Sequence, residues 1–140
     1  MGTGLAIHRG HRPPIVVLYH LARAHIDHGF DRQYHAALIQ VLSEAGAKAI
    51  VFDVEFVEPT SQDAQITEAA RRAGNVYFAF GFSSPKRIGA RYVATKIESP
   101  VLPEFGAVAK GTGFVNIQVD LDGKRRRVMP IIDYRGKNFF

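Results

Sequence analysis

The chain of 140 residues contains no cysteine. That absence excludes disulfides and thiolate metal sites. It leaves the redox compartment open, because cytosolic and periplasmic proteins can both do without cysteine. No apolar run approaches the ~20 residues of a membrane-spanning helix. The runs at residues 15–19 and 49–52 are strand-sized. The opening MGTGLAIHRGHR lacks the apolar core of a signal peptide. Gly2 follows Met1, but Ala6 stands where a myristoylation signal prefers Ser or Thr. The chain as given is therefore expected to be soluble. Phosphate loops are missing too: Gly111-Thr112-Gly113 has neither the lysine nor the helix start that such loops require. No serine sits in a nucleophile elbow: Ser43 falls within a predicted helix, and Ser83 and Ser84 have no base nearby.

What is present suits one globular domain. A hydrophobic fraction of 46% with 22% charged residues can fill a core and argues against global disorder. Net charge is +5, with basic tracts at residues 124–127 and 135–137. A basic balance can signal nucleic acid or an anionic membrane surface. On a strand, however, neighbouring side chains face opposite ways, so residues 124–127 cannot form one patch. No aromatic residues for base stacking are interleaved with them. A solvated surface, with no nucleic-acid partner, is the expected reading.

Residues 1–13 read as a basic, flexible lead-in rich in glycine, and residues 14–140 as a single domain. Ile15-Val16-Val17-Leu18-Tyr19 predicts a strand buried on both faces. Asp31 is placed to cap a helix reaching Ala45, with Tyr34, Leu38, Val41, Leu42 and Ala45 as its apolar stripe and Gly46 as its left-handed stop. A second strand follows at residues 49–52. Thr60 or Ser61 can cap the next helix, whose inner face is Ile66, Ala69, Ala70 and Ala73 and whose end is Gly74-Asn75. Residues 76–82 predict a third strand. Strand, helix, strand, helix, strand implies a parallel sheet with crossover helices. Residues 83–103, interrupted by Pro85, Gly89, Pro100 and Pro103, predict a long loop with one short strand near residues 92–94. A short helix is expected over residues 104–109. Residues 113–119 and 127–134 predict two strands around Asp120-Leu121-Asp122-Gly123, since Asp-Gly between β-rich runs marks a hairpin. The fold class is α/β: a mostly parallel central sheet with flanking helices, ending in an antiparallel β-hairpin.

Candidate chemistry is sparse. Asp53 and Glu55 fall at the carboxyl end of a buried strand, the edge where open α/β sheets gather ligands. If the strand continues, both side chains point the same way and could bind a divalent cation. Alternatively, Asp53 ties down the adjoining loop through backbone N–H groups. Asp120-Leu121-Asp122-Gly123 echoes the nucleophile motif of haloacid-dehalogenase-type phosphatases, in which the first Asp attacks phosphorus beside Mg²⁺. That chemistry needs a lysine and an acidic pair later in the chain, and only eighteen residues follow Asp122. The hairpin explains the motif without chemistry. His8 and His11, and likewise His25 and His28, have a spacing compatible with a shared ion. Nothing completes either set, so solvated loop histidines and no metal are expected. His35 falls beside the apolar stripe of the first helix.

The ordered set RQYHAALIQVLSEAGAKAIVFDVEFVEP, then Asp63 in a helix, RRAGNVYFAF and GFVNIQVDLDGKRRRVMP resembles the type 2 CHASE domain. The resemblance rests on Arg32 opening the first helix, the step at residues 46–49, Asp53 followed by Phe56, residues 113–116, Asp120 to Gly123, and Arg126-Arg127. It covers most of residues 14–135. Two departures stand out. The family has an acidic residue just after its first strand and an aromatic-Pro pair before the helix Arg. This chain has His20-Leu21-Ala22 and Gly29-Phe30-Asp31 there.

The resemblance implies an extracytoplasmic sensory module of a bacterial membrane protein, non-catalytic and without cofactor. It would be joined through membrane helices to a cytoplasmic cyclase, kinase or phosphatase, would respond to an unidentified small molecule or protein, and could be homodimeric. With the strand-edge rule, it nominates Arg32, His35, Asp53 and Glu55 as ligand-binding residues, and Asp120 and Arg126 as a second group. The rival expectations are a small metal-dependent phosphatase using Asp53 or Asp120, and a basic nucleic-acid-binding module.

Overall fold

The structure is a computed structural model that describes residues 16–18, 32–118, 120 and 122–140. The expected lead-in, the Asp31 cap and the five histidines before residue 32 lie outside the described residues. In chain order the elements are β1 (Val16–Leu18), α1 (Arg32–Glu44), β2 (Ile50–Phe52), α2 (Asp63–Ala73), β3 (Val76–Phe82), β4 (Lys86–Ile88), β5 (Arg91–Ala94), β6 (Ile97–Ser99), α3 (Pro103–Gly106), β7 (Gly111–Phe114), β8 (Ile117–Gln118), β9 (Arg127–Val128), β10 (Ile132–Tyr134) and β11 (Lys137–Phe139).

The first half folds as its pattern predicts. β1, β2 and β3 are consecutive parallel strands, with Val16 opposite Ile50 and Ile50 opposite Val76. β7 adds a further parallel strand along β3, from Tyr77 opposite Gly111 to Phe80 opposite Phe114. β6 runs antiparallel to the end of β3, pairing Ser99 with Gly81. Ile39 and Leu42 of α1 and Ile66 and Ala70 of α2 join Ile50, Phe52, Val76, Phe78 and Phe105 in one core. Phe78 stacks between Phe52 and Phe105, with centroids 5.5 and 5.0 Å away.

Helix ends follow local chemistry. α1 closes in a Schellman turn: Ala47 N donates to Leu42 O at 3.0 Å and Gly46 N to Ser43 O at 3.0 Å, with Gly46 at φ +79°. α2 stops at Gly74, φ +68°, whose N–H reaches Ala70 O. At its start Thr60 and Asp63 cap reciprocally: Thr60 N donates to Asp63 Oδ2 at 2.7 Å, while Thr60 Oγ1 accepts from Gln62 N at 3.3 Å.

Four expectations need correction. The buried face of α1 runs through Ile39 and Leu42, whereas Tyr34 is 58% and Val41 51% exposed. Of the expected stripe, Leu42 is buried and Leu38 packs against the core; Tyr34 and Val41 turn outward because α1 carries apolar residues on more than one face. Residues 83–103 hold three strands, β4, β5 and β6, in place of one. The helix over residues 104–109 is shorter and earlier, with Pro103 in its first turn. The strand expected at residues 113–119 is divided: β7 belongs to the main sheet, and the hairpin is only β8 with β9, Gln118 opposite Arg127 and Ile117 opposite Val128.

A second sheet, ordered β11-β10-β5-β4, is built from residues beyond the main parallel unit. Its inner row packs Tyr92, Ile132 and Phe139 against Phe80 and Phe82, forming a second core with Met129 and Ala94. β3 therefore feeds both cores, which explains its near-continuous burial.

Candidate functional site

The four residues nominated near the edge of β2 have different fates. Arg32 opens α1, and its guanidinium is drawn inward. Nε lies 2.9 Å from Asp63 Oδ1, one terminal nitrogen donates to Glu58 O at 2.7 Å, and the group sits 4.5 Å from the centroid of Phe56. A buried carboxylate, a carbonyl and an aromatic face thus surround it. One turn along α1, His35 meets Phe52 and Phe56 edge-on, with ring centroids 5.8 and 5.3 Å away. Burial, assisted by the Arg32 charge, holds the imidazole below its ordinary pKa, so its neutral form is favoured.

β2 stops at Phe52, so Asp53 and Glu55 do not share a continuing strand. Asp53 is exposed and makes no hydrogen bond or ion pair among the described residues. It does not anchor the loop. Glu55 does so by reaching across to β6, where the buried Ser99 hydroxyl donates to its Oε1 at 2.5 Å. That contact lies directly over Gly81, where a Cβ would collide with both oxygen atoms.

Asp120 and Arg126 meet each other in the β8–β9 hairpin. Arg126 places its two terminal nitrogens 2.9 and 2.8 Å from the Asp122 carboxylate, and one of them 3.2 Å from Asp120 Oδ2. This fork-on-carboxylate geometry raises the Arg126 pKa. The Arg126 hydrogen bond, with help from Lys124 N–H, lowers that of Asp122. The turn is closed by Gly123, φ +77°, whose N donates to Asp120 O at 2.9 Å. Both motif carboxylates thus serve an arginine in a hairpin. No group of three or more metal-ligating His, Cys, Asp or Glu side chains occurs among the described residues.

Three contributors were not nominated as site residues from sequence. Asp63, 4% exposed, is the partner of Arg32; the Thr60-x-x-Asp63 spacing of a capping box was the available signal. Ser99 had no signal, because its strand went unread. Asn116 uses its side-chain amide as a surrogate strand: Phe82 N donates to Oδ1 at 2.8 Å and Nδ2 donates to Phe82 O at 2.6 Å. A cleft of about 320 Å³ lies elsewhere, on the second sheet, among Arg91, Ile131, Asp133 and Asn138.

These features define a mixed α/β domain whose conspicuous charged residues largely brace its own helix starts and turns. The chain matches the family model of the CHASE2 domain over residues 11–139 and belongs to that family. CHASE2 domains are sensory, extracytoplasmic and non-catalytic modules. No curated protein and no solved structure matches the chain. No helix among the described residues is long and apolar enough to cross a membrane.

Proposed function

We propose that this chain is the extracytoplasmic sensor of a bacterial transmembrane signalling protein, and that it relays a chemical or protein signal to a cytoplasmic output module such as a cyclase, kinase or phosphatase. The observation that carries this reading is the CHASE2 match across nearly the whole chain. The chemistry agrees with it. Arg32, Glu55, Asp120 and Arg126 are bound to other parts of the fold, which suits a scaffold that changes packing state better than one that breaks bonds. A signal favouring one packing state shifts the population in proportion to its differential affinity. At the β2 edge, exposed Asp53 is the contact residue, half-buried His35 senses the packing behind it, and Arg32 and Glu55 set the shape. The Asp120–Arg126 hairpin is a second contact surface, and the parent protein works as a homodimer.

The absence of cysteine supplies a clean test. In the parent protein, cleared of any other cysteine, Thr95→Cys at an exposed position is expected to react with a membrane-impermeant maleimide in intact cells. Labelling only after lysis would place the domain in the cytoplasm and sink the reading.

A further inference from the structure

The second sheet carries a feature that the β2 edge does not share. Its registers set Tyr92 opposite Ile132 and Ile132 opposite Phe139, the row packed into the core. Side chains alternate along a strand, so the flanking positions turn outward: Arg91 on β5, Asp133 on β10, and Asn138 opposite Asp133 on β11. These three residues, with Ala90, Tyr92, Pro130 and Ile131, line the cleft of about 320 Å³.

The charges in this cleft are unspent. The Arg91 side chain is exposed and makes no hydrogen bond or ion pair among the described residues. Asp133 uses Oδ1 to accept from Gly136 N at 3.0 Å, a bond that braces the β10–β11 turn. Its Oδ2 has no partner among the described residues. Although Arg91 and Asp133 lie on adjacent parallel strands, two residues apart in register and so on the same face, no ion pair joins them among the described residues. A cation and an anion therefore line one cleft separately, with an apolar wall of Ala90, Pro130 and Ile131 beside them.

We propose that this cleft binds a small zwitterion of the α-amino-acid class with an apolar side chain. Its carboxylate meets the Arg91 guanidinium, its ammonium meets Asp133 Oδ2 beside the Asn138 amide, and its side chain lies along Pro130 and Ile131. A simple anion would satisfy Arg91 but face the Asp133 carboxylate, and a simple cation would meet the reverse conflict. The volume of about 320 Å³ is at the small end of ligand pockets, about 300–1,000 Å³, which leaves room for an amino acid. The inference gives the sensory reading a ligand class, but it stands or falls without it, because binding to the isolated chain is independent of any output module.

The test is calorimetric titration of the 140-residue chain with each of the twenty L-amino acids, up to about 10 mM. For the tightest binder, the carboxylic acid lacking its amine and the amine lacking its carboxylate are titrated as well; for leucine these are 4-methylpentanoate and 3-methylbutylamine. At least one apolar amino acid is expected to bind. Loss of either charged group from the ligand should weaken binding about tenfold or more, the scale of one charge-assisted hydrogen bond. Arg91→Gln and Asp133→Asn should each do the same. Asp133→Asn keeps the Oδ1 acceptor for Gly136, so its melting temperature without ligand should match the parent's. Amide chemical shifts should move around residues 90–92, 130–133 and 138. Silence across the panel overturns the proposal. So does equal binding of the amine-free acid, undiminished binding to Arg91→Gln, or shifts confined to the surroundings of His35 and Asp53. That last result would favour the β2 edge, and none of these outcomes bears on the side of the membrane where the domain lies.

Discussion

Arg32 and Asp63 form a nearly buried ion pair: Nε and Oδ1 are 2.9 Å apart, with 13% and 5% of the side chains exposed. Each residue is the first of its helix, so the pair ties the starts of α1 and α2 together. The carboxylate also accepts from Thr60 N, and the guanidinium donates to Glu58 O. The pair thus fixes the loop that leads from β2 into α2. Negative charge at the first turn of α2 also complements the helix dipole.

Breaking that pair from one side should be costly. Asp63→Ala strands a guanidinium in a low-dielectric setting and frees Thr60 N–H. Loss of one partner of a buried pair costs about 3–5 kcal/mol. A urea midpoint lowered by an equivalent amount is the expected result. Arg32→Met with Asp63→Leu, which removes both charges, should recover part of the loss. A single-variant cost below about 1 kcal/mol, the range of exposed pairs, would show that the tie is not structural.

His35 gives the domain a pH dependence of defined sign. Its pKa is lowered in the folded chain, first by burial and then by Arg32. The unfolded chain, with His35 near its ordinary value of 6.5, binds the proton more readily. Stability from this group is therefore complete above that value and falls as pH drops from about 6.5 towards the lowered folded value. Melting temperatures measured across this window should show a steeper decline for the parent than for His35→Phe. Parallel curves would remove His35 from the explanation.

The sequence disclosed the half of the fold in which periods are long enough to read. The seven residues of β3 and the glycine stops of both helices carry strong local signals. Of the second sheet, β5 is legible as the strand near residues 92–94, and β10 as the end of the strand expected over residues 127–134, whose beginning is β9; β4 and β11, of three residues each, are too short for a period of two to show. The β10–β11 turn is Arg135-Gly136, not the Asn-Gly or Asp-Gly that marks a two-residue hairpin. Arg32, His35, Asp53 and Glu55 could be placed near one strand edge from the sequence. Their partners could not: Asp63 is thirty-one positions beyond Arg32, and Ser99 forty-four beyond Glu55. Only packing decides which carboxylate is spent and which, like Asp53, is left exposed.

Gly81 is glycine for lack of room. A Cβ there would strike the Glu55 carboxylate and the Ser99 hydroxyl. Gly81→Ala should therefore destabilise, by about 1–3 kcal/mol, the usual range for overpacking, despite the gain in strand propensity. Combining it with Glu55→Ala should relieve part of the cost, because the carboxylate is then gone and only the approach to the Ser99 hydroxyl remains. A Gly81→Ala melting temperature equal to the parent's would refute the close approach.

Arg135 occupies the left-handed region at φ +52°, followed by Gly136 at φ +76°, the backbone of a type I′ turn. Arginine is strained there, whereas asparagine tolerates it. Arg135→Asn should raise stability by roughly 0.5–1 kcal/mol, even though it removes the guanidinium 5.2 Å from the Tyr134 ring centroid. Thermal unfolding reads this directly. A loss of stability would mean that the ring contact outweighs the turn strain.

Asn116 offers the sharpest separation of shape from chemistry. Its amide gives one acceptor to Phe82 N–H and one donor to Phe82 C=O, extending the pairing of β3 beyond β7. Asn116→Ala leaves both backbone groups without that partner, at about 1–3 kcal/mol for each group that stays buried and unsatisfied. Asn116→Asp keeps the acceptor but turns a second oxygen towards the Phe82 carbonyl. The two acceptors repel until the introduced carboxyl is protonated and can donate. Its pKa should therefore be raised in the folded chain, and the variant's deficit relative to the parent should shrink as pH falls through the carboxylate range. Asn116→Ala has no such group, so its deficit should stay level across the same range. Equal pH profiles for the two variants would mean that the side chain merely fills space beside β3 and does not complete its edge.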